Sequence, residues 1–580
     1  MKKLSQSAEE IVKQWLKSPY DQETRNEIKE LMKNQPEEIE TAFTTELKFG
    51  TAGLRAKMGP GPGRMNKYTI RIVTQGLADY IKTFPKEQWS SGVAICYDCR
   101  LHSREFAEET AKVLAGNQIP VHLVPELRPT PFVSFALRYY KCIAGINITA
   151  SHNPKEYNGY KVYWSDGAQI VSPHDREIVK SIENVTDINQ VLLTDLNDPL
   201  ISFIPHSIED AYLDAVCNLS INKDLIQNYG KDLKIIYSPL NGAGITMIPK
   251  ALKQCGFNNV KIVQEQKHPD GTFPTTPYPN PETDKALELG WRDLKKDQAD
   301  ILLVSDPDSD RLSCSVLCNG QPKRLTGNEL GTLLLHYLVT ELKPEGKWAT
   351  VTTIVSTELV KKLTETNYGT CFEVLTGFKY IGEKIHQWEQ MENGFNFLFG
   401  MEESLGYLHG THARDKDATI AATLTAELTL NLKKHGKTLL NQLYEIYTEF
   451  GIHREDQLTV DAQTNMPTCV EKIESLRKSP PKTLCNVPII SIEDYLTSKS
   501  IDYKTNSTNK LDLPKANVLI FRLEDQSKFI IRPSGTEPKI KIYGQIVGSA
   551  QEFPSMEDGI HTLDKRLKSR LEEINKEVFG

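Results

Sequence analysis

The residues best suited to chemistry form a short acidic run, Asp306-Pro307-Asp308-Ser309-Asp310-Arg311. It places three carboxylates on alternate residues. In an extended backbone alternate side chains share a face, so the three would converge. Two unit charges about 4 Å apart repel by about 4 kcal/mol at an effective dielectric of roughly 20. A cluster pinned behind a buried strand therefore calls for a counter-charge. A divalent cation is the natural one, and all-oxygen ligation favours Mg²⁺, Mn²⁺ or Ca²⁺. A calcium EF-hand would need Gly at loop position six and Glu at position twelve. Those positions hold Arg311 and Leu317, so that reading fails. The competing reading is a solvated acidic turn or helix cap.

A second run is Thr149-Ala150-Ser151-His152-Asn153-Pro154, followed by Asn158, Gly159 and Lys161. Ser beside His suggests a nucleophile with its base. Adjacent residues rarely bring their side chains together for proton transfer, and no Gly-x-Ser-x-Gly elbow is present. A hydrolase triad is a poor reading. A polar turn before Pro154 and a serine that carries a phosphoryl group both stay open. A phosphoserine adds about −1.5 to −2 charge and needs cations, which a metal loop and Lys161 could supply.

Two further runs suit oxyanions. Arg532-Pro533-Ser534-Gly535-Thr536 combines a forked guanidinium, two hydroxyls and a Gly that opens the backbone. It lacks the Gly-Lys-Ser/Thr of a Walker A loop and equally suits a hairpin turn. Gly50-Thr51-Ala52-Gly53-Leu54-Arg55 has similar chemistry, and the next segment, Met58 to Arg64, is no dinucleotide fingerprint because Arg64 stands where the third Gly belongs. Glu402-Glu403-Ser404-Leu405-Gly406 offers acceptors for hydroxyls, a weak signal alone.

These runs need elements to hold them. Val93–Tyr97, Lys234–Tyr237, Asp300–Val304 and Phe395–Phe399 are strand-like apolar runs, each leading into a polar loop. After the first, Phe106, Ala107, Thr110, Ala111 and Leu114 recur at helical spacing. Strand, loop, helix is an α/β signature, and ligands gather at the carboxyl ends of such strands. The last 120 or so residues differ. Strands at Val518–Phe521, Phe529–Ile531 and Ile540–Gly548 precede a charged helix, Met556–Val578, so a smaller α+β domain is expected. The polar stretch 478–486 within it reads as a loop.

With 580 residues, about four domains are expected. The hydrophobic fraction of 39% supports real cores, which excludes wholesale disorder. Lys plus Arg is 69 against 76 for Asp plus Glu, a net charge of −7 without a long basic run, so no nucleic-acid partner is expected. No run of 18 apolar residues occurs, and the charged segment Met1–Leu16 lacks a signal-peptide core, so a soluble cytoplasmic protein is expected. Of the ten cysteines, Cys96 and Cys99 make one Cys-x-x-Cys, but only His102 is near, so they read as thiols at the end of a buried strand rather than a zinc site.

Taken together, the four loops resemble those of the α-D-phosphohexomutase family, the phosphoglucomutases and phosphomannomutases, in order and over nearly the whole chain. Thr149–Pro154 resembles the family's phosphoserine loop, Asp306–Arg311 its metal loop, Gly400–Gly406 its sugar-binding loop and Arg532–Thr536 its phosphate-binding loop. The 50–55 and 58–66 segments are most similar to the bacterial phosphoglucomutase and phosphopentomutase branch. The resemblance implies three α/β domains with mixed sheets and a smaller C-terminal α+β domain. The expected bounds are 1–210, 211–325, 326–455 and 456–580.

It also implies roles. Ser151 carries the phosphoryl group, and that phosphate joins Asp306, Asp308 and Asp310 around one Mg²⁺. His152 and Lys161 support the phosphoserine. Lys416, in Arg414-Asp415-Lys416-Asp417, carries the proton, although by composition alone it reads as a surface lysine. Arg55 and Arg311 stabilise phosphoryl charge. Thr376, Gly377, Glu402 and Ser404 contact the sugar. Arg532, Ser534, Gly535 and Thr536 hold the second phosphate. The implied reaction interconverts glucose 1-phosphate and glucose 6-phosphate, with glucose 1,6-bisphosphate as intermediate and activator. Glu402-Glu403-Ser404-Leu405-Gly406 is nearer the glucose-type form of its loop than the mannose-tolerant one, which favours glucose phosphates without excluding pentose phosphates. A phosphopentomutase, a glucose 1,6-bisphosphate synthase and a non-catalytic phosphosugar-binding protein are the alternatives. A monomer or weak dimer is expected.

Overall fold

The computed structural model describes residues 4–45, 47, 53–462, 466–533 and 539–579. Backbone packing divides it into two compact units. One comprises Met1–Thr326, Gly377–Gly400 and Ser404–Asn431; the other comprises Gly327–Thr376, Met401–Glu403 and Leu432–Gly580.

The first unit opens with helices Gln6–Trp15, Gln22–Asn34 and Pro36–Thr44. Ser5 and Asp21 start the first two by accepting from the amides of Ala8 and Thr24. Their apolar faces close on Trp15, which stacks on Tyr20 at 4.3 Å and meets Phe43 and Tyr68 edge-on.

A six-stranded sheet follows, built from β1 (Leu54–Lys57), β2 (Val93–Tyr97), β3 (Val121–Leu123), β4 (Ala144–Ile148), β5 (Tyr157–Trp164) and β6 (Ile201–Phe203). Its order is β1-β5-β4-β2-β3-β6; β5 runs antiparallel to both of its neighbours, β1 and β4, while β4, β2, β3 and β6 pair in parallel. β2 and β4 are buried along their whole length, as continuous apolar runs in parallel positions require. Cys96 sits buried on β2 as a free thiol, raised by desolvation to a high pKa.

The second sheet joins β7 (Ile235–Ser238), β8 (Val260–Ile262), β9 (Ile301–Ser305), β10 (Leu312–Cys318) and β11 (Gln321–Arg324) in the order β11-β10-β9-β7-β8. β7 pairs parallel with β8 and β9, while β10 runs antiparallel to β9. Its core gathers Ile236, Val263, Leu287, Leu294 and Leu302. A disulfide the sequence did not suggest joins Cys217, on helix His206–Asn218, to Cys255, at the end of helix Ile248–Cys255, with Cα atoms 5.4 Å apart.

In the second unit β12 (Trp348–Thr353) pairs parallel with β13 (Thr370–Val374). Later come β14 (Asn396–Glu402), which passes from the first unit into the second, and β15 (Gly406–His409), in the first unit. The C-terminal sheet is antiparallel. Its strands are β16 (Ile452–Asp461), β17 (Thr483–Leu484), β18 (Val487–Asp494), β19 (Lys499–Asp502), β20 (Ser507–Lys510), β21 (Leu519–Leu523), β22 (Lys528–Pro533) and β23 (Lys539–Gly548). They run in the order β16-β23-β22-β21-β18-β19-β20, and β17 pairs with β18. Helix Met556–Phe579 covers it with Leu563, Leu567, Leu571, Ile574 and Val578 buried at helical spacing. Glu358 receives Lys528 and Arg522, tying helix Glu358–Thr366 to this sheet.

The fold class is as expected: mixed α/β sheets flanked by helices, then a C-terminal sheet with its helix. That sheet is larger than three strands. β20 is the polar edge strand and β19, paired between β18 and β20, is largely exposed as well; neither has an apolar run, so they carry no strand signal. The stretch 478–486 is not all loop, since β17 lies in it. Among the described residues, no helix is long and apolar enough to cross a membrane.

Candidate active site

β4 delivers the serine loop. Ser151 is buried and adopts a left-handed φ of 53°. That conformation is uncommon for a residue with a Cβ, and the surroundings hold it. Thr149 Oγ1 accepts the Ser151 amide at 2.8 Å and donates to Asp98 Oδ2 at 2.6 Å. Asp98 Oδ1 accepts the Arg100 amide and the Ser103 hydroxyl. The buried Arg100 guanidinium donates to four backbone carbonyls of the loop: Ser151 at 2.5 Å, Pro154 at 2.9 Å, Tyr157 at 3.0 Å, and Asn153. Burial raises the Asp98 pKa, with Arg100 and Thr149 opposing it.

Ser151 Oγ then donates to Asp306 Oδ2 at 3.0 Å, and His152 Nδ1 lies 3.3 Å from the same Ser151 oxygen. Against the expectation for sequence neighbours, the Ser151 and His152 side chains meet. The left-handed turn at Ser151 brings them together. Burial first, then Arg311 and Arg55, hold His152 well below its ordinary pKa, so its imidazole is neutral.

β9 delivers the acidic loop. Its carboxylates converge, but not through extended backbone. The chain turns, with Ser309 at φ 55°. Asp306 Oδ1 accepts the amides of Asp310 and Arg311 at 3.1 Å each. One oxygen of each Asp lies within 4.8 Å of the others, and all three residues are buried. Burial and the charges of Asp308 and Asp310 push the Asp306 pKa far up. Burial would raise Asp308 as well, yet Lys161 and Thr130 hold it low. Lys161 Nζ is 2.7 Å from Asp308 and 3.6 Å from Asp310. Thr130 Oγ1 donates to Asp308 at 2.7 Å and accepts from Asn147, and the Thr130 amide donates to the Asp308 carbonyl. Thr130 opens helix Thr130–Tyr140, whose positive end favours an anion there.

The site fits a hard divalent cation. Asp308 Oδ1 and Asp310 Oδ1 are buried without a hydrogen-bond partner among the described residues. Oxygen donors of like charge, crowded and partly unsatisfied, match the ligand preference of such an ion.

Comparison with known proteins agrees with this geometry. The family signatures described as phosphoglucomutase/phosphomannomutase α/β/α domains I, II and III match residues 46–189, 210–319 and 326–449. The chain is 38% identical over 510 residues to a phosphoglucomutase of Staphylococcus haemolyticus (strain JCSC1435), covering 87% of this chain and 91% of that protein. A phosphoglucomutase of Staphylococcus aureus (strain MRSA252) is also 38% identical, with 86% and 90% covered. The chain belongs to the phosphoglucomutase/phosphomannomutase family. It is an enzyme, an intramolecular phosphotransferase of the isomerase class. Among solved structures, the open form of the Paramecium phosphoglucomutase parafusin has a TM-score of 0.67 at 17% identity, covering 92% of this chain and 96% of that one. A putative phosphomannomutase from Thermus thermophilus gives 0.64 at 20% identity, with 90% and 99% covered. Both share the fold.

The remaining expected residues divide between the units. In the first, Arg311 Nε lies 3.9 Å from Asp310 Oδ1 and its Nη1 3.8 Å from Glu282. Arg55 is on β1 with its side chain open to solvent, within the field of Asp308, Asp310 and Arg311. Lys416 is buried, its Nζ 3.1 Å from Asp310 and 2.9 Å from Asp415. The surface-lysine reading of Lys416 is therefore set aside. Gly377, at φ 127°, opens helix Phe378–Glu389, and Ser404 is half-buried.

In the second unit Glu402 is buried, and Glu403 accepts from Thr353 and Ser356. Tyr543 gathers this chemistry. Burial and Glu403 raise its pKa, Arg532 opposes them with a hydrogen bond, and Glu402 adds to the rise. Thr376 Oγ1 is buried with no hydrogen-bond partner among the described residues. Ser534, Gly535 and Thr536 lie outside the described residues.

The sequence reading gave no role to Thr130, Arg100, Asp98, Asp415, Tyr163 or Gln169. Asp98 and Arg100 stand where β2 ends, and Asp415 stands beside Lys416. Those positions were visible signals. Thr130 had none.

Proposed function

We propose that the chain interconverts glucose 1-phosphate and glucose 6-phosphate through a phosphorylated Ser151 and a bound glucose 1,6-bisphosphate. One observation carries the reading: Ser151 Oγ lies 3.0 Å from Asp306, inside a buried three-Asp cluster that also holds two lysines. Phosphoryl transfer needs positioning and charge stabilisation more than covalent help.

Asp306, Asp308 and Asp310 would hold Mg²⁺ together with an oxygen of the phosphoserine. The ion would supply Lewis-acid stabilisation of phosphoryl charge. A sugar hydroxyl attacks the phosphorus, the bond to Ser151 Oγ breaks with its electron pair staying on that oxygen, and the hydroxyl proton passes to Lys416 in its amine form. The bisphosphate then turns over. Its other phosphate returns to Ser151 Oγ while Lys416 gives the proton back to the freed sugar oxygen. Lys161 balances Asp308 and Asp310. Neutral His152 supports Ser151 Oγ, and Arg55 with Arg311 draws phosphoryl charge. Glu402, Ser404, Thr376 and Gly377 grip sugar hydroxyls. Arg532, with Ser534, Gly535 and Thr536, holds the phosphate that is not reacting. We keep the four-domain division at 1–210, 211–325, 326–455 and 456–580. We place a monomeric or weakly dimeric enzyme in the cytoplasm.

Intact mass before and after incubation with glucose 1,6-bisphosphate tests this. One phosphoryl group mapped to Ser151, and loss of turnover in Ser151→Ala, are expected. A Ser151→Ala enzyme at near wild-type rate would refute the phosphoserine. A strong preference in kcat/KM for ribose 1-phosphate over glucose 1-phosphate would replace glucose with pentose.

A further inference from the structure

Lys416 reaches the acidic cluster along an unusual path. Its methylenes lie over the backbone of Gly406, the first residue of β15. A Cβ placed on Gly406 would overlap Lys416 Cδ and sit 2.7 Å from Cγ. The overlap is with the middle of the lysine chain. Nζ could not keep its place by a small shift of its tip. Gly406 does not need to be glycine for its own backbone, since its φ is outside the left-handed region. What it supplies is room.

Gly406 is itself held against the metal loop. It bridges antiparallel to Arg311, and Leu405 O accepts the Leu312 amide at 3.0 Å. On the other side the Asp417 amide donates to Tyr407 O at 2.9 Å, which ties the Lys416 segment to β15. The end of the side chain is fixed separately. Asp415 Oδ1 takes Lys416 Nζ, while Asp415 Oδ2 accepts from Tyr163 Oη and Gln169 Nε2 at 2.8 Å each. Phe378 lies beneath the ammonium, 5.4 Å from its ring centre.

We infer that Gly406 is a positioning residue for Lys416: the missing side chain forms the track along which the lysine reaches the acidic cluster, and Asp415, braced by Tyr163 and Gln169, sets its end. This rests on the reading of Lys416 as proton carrier given above.

The test is a double-mutant cycle of Gly406→Ala and Lys416→Ala in the full-length, Mg²⁺-loaded enzyme. It reads kcat and KM for glucose 1-phosphate and the thermal midpoint. General acid–base groups contribute about 10²- to 10⁴-fold, so Gly406→Ala should lower kcat by about 100-fold with KM changed no more than about 3-fold. In the Lys416→Ala background the same change should alter kcat by less than about 2-fold, because the group it displaces is gone. A wild-type kcat in Gly406→Ala, or an equal loss in both backgrounds, would overturn the inference. Because Lys416→Ala by itself lowers the thermal midpoint by leaving Asp310 and Asp415 uncompensated, the readout is the coupling: any drop caused by Gly406→Ala should be smaller in the Lys416→Ala background, where the overlap is gone, and an equal drop in both backgrounds also overturns the inference. Near wild-type turnover in Lys416→Ala alone defeats the proton-carrier reading instead, and leaves the steric coupling measured by the midpoints.

Discussion

Lys161→Met asks whether the acidic cluster needs its buried cation. Lys161 Nζ lies 2.7 Å from Asp308 and 3.6 Å from Asp310, with only 2% of its side chain exposed. Methionine keeps most of the volume and removes the charge. Carboxylate oxygens within 4.8 Å of one another repel by roughly 3 kcal/mol per charged pair at an effective dielectric of about 20. Removing one partner of a buried pair costs about 3–5 kcal/mol, because the other is left uncompensated. At about 2 °C per kcal/mol for a large domain, the thermal midpoint in EDTA should fall by about 6–10 °C. Mg²⁺ at about 100 times its Kd should return about 2.7 kcal/mol. The return should be larger in the variant than in the wild type, since the ion no longer competes with an ammonium. Calorimetric scans of both proteins in EDTA and in MgCl₂ measure this. Equal midpoints in EDTA, or a Mg²⁺ shift no larger in the variant, would refute the reasoning.

Arg100→Lys should release the serine loop, because an ammonium cannot serve four carbonyls at once. Turnover should fall by about 100-fold with Ser151 phosphorylation slowed in parallel; phosphoserine formation timed by mass spectrometry checks it, and a rate within about 2-fold of wild type counts against the clamp. His453 gives a pH dependence. Burial, then Lys362, hold its pKa down to about 3 from an ordinary 6.5. The folded imidazole is neutral, so below about pH 6.5 the unfolded chain binds the extra proton. Stability should fall as pH drops through 6.5 toward 3, by up to about 1.4 kcal/mol per pH unit. His453→Gln should flatten the urea midpoint between pH 5 and 6.5, and an unchanged slope there would show that His453 is not the source.

The sequence by itself marked the chemical loops, their order, and the strands that end in them. β2, β4 and β9 are buried apolar runs, and residues at their carboxyl ends have few structural reasons to be Asp, Arg or Ser. It missed β19 and β20 because strands left largely exposed at the margin of a sheet need no apolar pattern. It reached the convergence of the three aspartates through the wrong geometry, since one left-handed residue, Ser309, does what an extended strand was expected to do. It also left Lys416 ambiguous. A lysine's burial depends on what packs over it, and here that is Gly406, Asp415 and Phe378, brought to it from separate stretches of chain or from the residue beside it. Residue type and local period are written along the chain and can be read there. Which carboxylate shares a floor with which serine, and which glycine leaves room for which lysine, depends on contacts between distant segments. Those exist only once the hydrophobic cores have closed.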